Sequence, residues 1–136
     1  MSELHLKIVT PEGQAFDDEV NAVTVPSSEG ELGILPHHAS LMAKLIPGEL
    51  KIKKNGKEES LAIGGGFLQV NENTATIMTD LATYAADIDE RAVEEAKKRA
   101  EQALAQTLSD EEYADTLAAL EKSLAQLRVK RRHRVR

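Results

Sequence analysis

A β-sandwich or flattened barrel followed by two antiparallel helices is the fold the sequence predicts, and three observations predict it. All eight glycines and all four prolines of the 136-residue chain lie before residue 67. Over that stretch apolar residues recur with a period near two, as in half-buried strands. From Asp87 onward Gly and Pro vanish, and Ala, Glu, Lys, Arg, Leu and Gln take over. These residues lose little rotamer freedom in a helix. The expected organisation is a sandwich domain over residues 1–86 and a helical hairpin over 87–136.

Leu4, Leu6 and Ile8 alternate with His5, Lys7 and Val9, and Pro11-Glu12-Gly13 then turns the chain. The acidic run Asp17-Asp18-Glu19 lacks the spacing of a calcium loop and reads as a solvated bend. Val20 to Val25 resumes the alternation, as does Leu50-Lys51-Ile52-Lys53. Asn55-Gly56 between two such runs predicts a tight hairpin, because both residues tolerate positive φ. Leu61 and Ile63, Phe67 to Val70, and Thr74 to Ile77 supply three further strands. Gly64-Gly65-Gly66 runs into a strand rather than a helix, so it reads as a bulge or close backbone approach, not a phosphate loop.

Asp87 or Asp89 is expected to cap the first helix, with Glu90 completing a capping box on Asp87. Its seam is small, running through Ala92, Val93, Ala96, Ala100, Ala103 and Leu104. Ser109 to Glu112 repeats the Ser-x-x-Glu signature, and Tyr113, Leu117, Leu120, Leu124 and Leu127 form the second seam. Alanine facing leucine lets two helices pack closely while burying little area. The hairpin is therefore expected to be marginal unless it rests on the sandwich or on another protein. It either completes a fixed fold or moves.

Charge is unevenly distributed. The net charge is −6 overall, with −6 over residues 1–86, −5 over 87–128 and +5 over the last eight residues. That basic tip is a solvated terminus or a docking element for an acidic protein surface. A nucleic-acid arm is the weaker rival, since acids crowd the same hairpin and no aromatic is interleaved. Catalytic groupings are scarce: there is no Cys, no Trp and no Gly-x-Ser-x-Gly. The adjacent His37 and His38 find no second cluster spaced for a metal, so no metal and no enzymatic activity are expected. No apolar run is long enough to span a membrane, and the N-terminus lacks a signal-peptide core.

Four stretches nevertheless form a distinctive set. They are Ile8-Val9-Thr10-Pro11-Glu12-Gly13, Ser28 through His38 (SEGELGILPHH), Gly64-Gly65-Gly66-Phe67-Leu68 and Asp87-Ile88-Asp89. In order and spacing the chain resembles, end to end, the epsilon subunit of bacterial F-type (rotary) ATP synthases. The resemblance implies a sandwich of about ten strands and a movable two-helix hairpin. It implies a non-catalytic role in the central stalk of a proton-translocating enzyme, at the cytoplasmic face of the cell membrane and peripheral to it. The implied partners are the gamma subunit, the c-ring and the catalytic alpha and beta subunits, with no nucleic acid.

By the same resemblance, Glu31, Leu32, Ile34, Pro36, His37 and His38 are the candidate contacts to gamma and the c-ring. Arg128, Lys130, Arg131, Arg132, Arg134 and Arg136 are the candidate inhibitory contacts to the catalytic head, exposed while the hairpin is folded down. Some members carry a regulatory ATP site whose motif is Ile/Leu-Asp-x-x-Arg-Ala. Here Ile88 and Asp89 match, but Arg91 arrives one residue early, which turns it by about 100° on a helix. Arg99 matches a further basic position, and Lys122 and Gln126 stand where two arginines belong. A lysine is a point charge and a glutamine is no guanidinium fork. No cofactor is required, and ATP binding is expected to be weak or absent; the alternative is a nucleotide-sensing module whose hairpin closes on ATP.

Overall fold

In the computed structural model, residues 3–106 and 109–133 are described. Ten strands come first: β1 (Leu4–Thr10), β2 (Gly13–Val20), β3 (Ala22–Ser27), β4 (Gly30–Ile34), β5 (Leu41–Leu45), β6 (Gly48–Lys54), β7 (Lys57–Ile63), β8 (Gly66–Asn71), β9 (Thr74–Thr79) and β10 (Ala82–Tyr84). A single 3₁₀ turn (Ala85–Asp87) leads into α1 (Glu90–Leu104) and α2 (Asp110–His133). The sheet order is β10-β7-β6-β3-β5-β8-β9-β1-β2, with β4 paired on β3. Every pair is antiparallel except β1 with β9.

The sheet folds over so that in-phase residues from both halves share one core. Leu4, Leu6 and Ile8 from β1 meet Leu50, Ile52, Leu61 and Ile63 from β6 and β7, all 2 % exposed or less. Alternation thus dictates which side of each strand is inward. Lys54 and Lys57 frame the expected turn as the last pair of the ladder, and Asn55 and Gly56 between them have φ of 52° and 79°. A Cβ on Gly66 would fall on the Met78 carbonyl of the adjacent strand, which explains the glycine by close backbone approach.

Three expectations are corrected. Asp17-Asp18-Glu19 is not a bend but part of the C-terminal half of β2, in register with Lys7, Leu6 and His5. An edge strand tolerates such charge because its outer side is solvated. His5 Nε2 lies 2.5 Å from Asp17, and Lys54 ion-pairs with Asp18, tying β2 to β6 and holding the Asp18 carboxyl below its ordinary pKa. The first helix is capped by Asp89 alone, whose side chain accepts from the Ala92 N–H at 3.2 Å. Asp87 belongs to the preceding turn. By contrast, Ser109 and Glu112 form the reciprocal box as expected, at 3.1 and 3.2 Å.

The third correction concerns the seams. Ala92, Tyr113 and Leu117 are exposed, and burial on α2 keeps the expected Leu127 but joins to it Ser123, Ala125 and Val129. These are two i,i+4 pairs set about 200° apart around the helix. Both sides are covered because the second half of α2 lies between α1 and strands β6 and β7. A one-faced reading of helical periodicity misses that arrangement. The hairpin is thus folded down on the sandwich.

Candidate functional site

The turn carrying the first set of candidates is built on β4. Gly30 has a φ of 111°, which lets the chain double back from β3, and Ser27 Oγ donates to its carbonyl. Glu31 is exposed, with its carboxylate 3.6 Å from Lys51. Leu32 is half-buried against the core, and Ile34 is fully buried within it. Ile34 therefore supports the turn from inside and has no side-chain surface for a partner. The apolar side chain that does project is Leu35, 62 % exposed. Pro36 is half-buried, and His37 takes a φ of 65° while its N–H donates to Asn73 Oδ1 at 2.8 Å. His38 closes the turn by donating its N–H to the Leu35 carbonyl.

A second outward surface escaped the sequence reading. Val9, Met78 and Phe67 are direct neighbours across β1, β9 and β8, and Phe67 pairs with Lys44, two residues from Met42 on β5. All four apolar side chains point away from the core, from Val9 at 38 % exposed to Met42 at 69 %. The available signal is that β1, β8 and β9 carry an apolar residue out of phase with their buried set. An apolar row on a sheet's solvent side marks an interaction surface.

The hairpin is held by a small second core and a set of charges. Ala62 from β7, Ala85 and Ile88 from the connecting turn, Val93 from α1 and Leu127 and Val129 from α2 pack together. Above them Arg132 donates to both oxygens of Glu49 at the start of β6, Nε to Oε1 at 2.8 Å and Nη2 to Oε2 at 2.7 Å. His133 Nε2 stands 2.9 Å from Oε2. The Glu49 side chain is only 15 % exposed. Burial alone would raise its pKa, but the bonds from Arg132 and His133 outweigh it and bring it down to about 2. Ser60, buried on β7, lowers it further, although its Oγ meets no partner in good hydrogen-bond geometry.

Arg131 and Arg132 are exposed in the folded-down state, as expected of the tip, yet their guanidinium groups are already paired within the chain. Arg131 reaches Glu94 at 2.7 Å and Glu90 at 3.6 Å on α1, and Lys130 Nζ donates to the Ala85 carbonyl at 3.3 Å. Arg128 is exposed. Arg134 and Arg136 lie outside the described residues.

The five residues weighed for ATP are differently engaged in the folded-down hairpin. Ile88 is buried in the second core, and Asp89 is occupied as a cap. Arg91 is 92 % exposed and leans toward Glu95 on its own helix. Arg99 is exposed as well, and Lys122 is bonded to Asp80 at 3.0 Å. Among the described residues no cluster suits a metal, and no helix is long and apolar enough to cross a membrane.

Known proteins share this architecture. Residues 3–85 match the beta-sandwich domain and 86–131 the long alpha-helix domain of the ATP synthase delta/epsilon chain. The ATP synthase epsilon chain of Alkalilimnicola ehrlichii is 40% identical over 137 residues, covering 100% of this chain and 98% of its own. Epsilon chain 1 of Methylococcus capsulatus is 41% identical over 132 residues, covering 96% and 94%. Among solved structures, a chain of the Euglena gracilis mitochondrial ATP synthase OSCP/F1/c-ring assembly superposes with a TM-score of 0.75 at 26% identity, covering 92% of this chain and 79% of that one. Two domain matches in the right order and near-full-length relatives leave one assignment: the chain belongs to the ATP synthase delta/epsilon chain family.

Proposed function

We propose that the chain is a non-catalytic central-stalk subunit of a proton-translocating F-type ATP synthase. In this reading it couples rotation to catalysis and restrains ATP hydrolysis through its C-terminal helices. The sandwich contacts gamma and the c-ring through the 29–38 turn and the outward row of Val9, Met78, Phe67 and Met42. The helices act on the catalytic alpha and beta subunits. The assembly keeps the chain peripheral to the membrane, at its cytoplasmic face. ATP binds the isolated chain weakly or not at all, because Asp89 is engaged as a cap and Lys122 is already paired with Asp80.

One observation carries the reading. The hairpin rests on a second core separate from that of the sandwich, so it can leave without opening the first. The deciding experiment adds the full chain, or residues 1–86 alone, to an epsilon-depleted complex and measures hydrolysis. Full-length chain lowers the rate, and the truncated chain still assembles but no longer inhibits. Equal hydrolysis with both forms removes the inhibitory half of the reading.

A further inference from the structure

We propose that Glu49 is an internal competitor for the cations at the end of α2, holding in the folded state the same groups an acidic partner would need. The inference rests on the inhibitory reading above and names the residue that opposes it.

Geometry singles out Glu49 from the other acids. Two ion-pair sites bridge helix and sandwich among the described residues: Arg132 and His133 with Glu49, and Lys122 with Asp80. The Arg131 pairs with Glu90 and Glu94 lie within the hairpin and would travel with it. Lys122 sits about two turns before the basic tip, so among the described residues Glu49 is the sandwich acid that pairs with the tip's side chains, beside the Ala85 carbonyl that accepts from Lys130. Both oxygens of Glu49 are used, in the parallel fork that a guanidinium offers a carboxylate. One guanidinium cannot present that fork to a second carboxylate at the same time. Retention of Glu49 and capture by an outside acid are therefore mutually exclusive states for Arg132. The equilibrium then shifts according to the difference in affinity between the two acids.

The apolar contribution leaves room for such control. The docking core is built from Ala62, Ala85, Ile88, Val93, Leu127 and Val129, four of the six no larger than valine. A charge-assisted pair with one half-exposed partner is modest in absolute terms, but here it acts on a small interface.

The test uses the full chain, which has no native Cys, labelled with a donor and an acceptor dye at Ser28→Cys and Gln102→Cys. Both positions are exposed and lie away from the docking core. Glu49→Gln is expected to raise the fraction of separated hairpins about three- to tenfold. The exchanged pair Glu49→Arg with Arg132→Glu is expected to return the docked fraction. A hexaglutamate peptide then serves as the acidic probe: Glu49→Gln binds it severalfold more tightly than the parent, and adding Arg132→Gln abolishes the gain. Unchanged dye separation in Glu49→Gln overturns the latch. Equal peptide affinity in parent and Glu49→Gln overturns the competition. Both readouts are independent of hydrolysis, so a failure of the inhibitory reading would show separately, in the ATPase assay alone.

Discussion

Arg132 and Glu49, 83 residues apart, meet through two parallel hydrogen bonds of 2.8 and 2.7 Å at the foot of the C-terminal helix. The pair joins the two structural units of the chain at a point where their apolar contact is thin. It also leaves Arg132, which looks outward-directed in sequence, internally paired.

Acid should loosen the hairpin before it unfolds the sandwich. The Glu49 pKa in the folded chain is about 2, below its ordinary 4.5, so its contribution is complete above pH 4.5 and lost as pH falls toward 2. Allowing for solvent around Arg132, the loss is roughly 1–2 kcal/mol. Hydrogen exchange of α1 and α2 at pH 7 and pH 3 measures it, and Glu49→Gln should flatten the difference.

Leu127→Ala tests the second core. The side chain is 2 % exposed and packs among small neighbours. Its truncation should cost about 2–4 kcal/mol of hairpin docking. Limited proteolysis should then cut α1 and α2 while β1 to β10 stay protected. Simultaneous loss of both units would show that they unfold together.

Phe67→Ser and Met78→Ser probe the outward row. Both side chains are exposed, so thermal stability should change by less than about 0.5 kcal/mol. Affinity for the partner stalk subunit should fall at least tenfold, read by titration of the purified chains. The buried neighbour Leu68 gives the opposite pattern when truncated, losing stability first.

Mg-ATP at millimolar concentration should leave the melting temperature of the isolated chain unchanged. Binding to the native state alone would raise it in proportion to ln(1 + [L]/Kd). A clear upward shift, lost in Lys122→Ala, would restore the nucleotide-sensing reading despite the Lys122–Asp80 pair.

Local chemistry made much of the fold legible. Strand alternation identified Leu4, Leu6 and Ile8 as inward, Asn55-Gly56 as a turn and Ser109–Glu112 as a capping box, because each depends on neighbours within a few residues. What stayed hidden depends on distant partners. Asp17 to Glu19 read as a bend until β1 was seen beside it, and Ile34 read as a contact residue until the core closed over it. Likewise Glu49 had no distinguishing mark in sequence, since its role comes from residues on α2. The exposed row was hidden for the reverse reason: Val9, Phe67 and Met78 look like ordinary strand residues until register lines them up.

The parallel pairing of β1 with β9 sets an order of events during synthesis. The first strand has no neighbour on that side until residues 74–79 have left the ribosome. Nascent chains therefore wait with that edge of β1 unpaired, a non-local topology that is slow to close. The helices emerge only afterwards. They never need to fold alone, because a finished surface, with Glu49 already in position, is waiting for them.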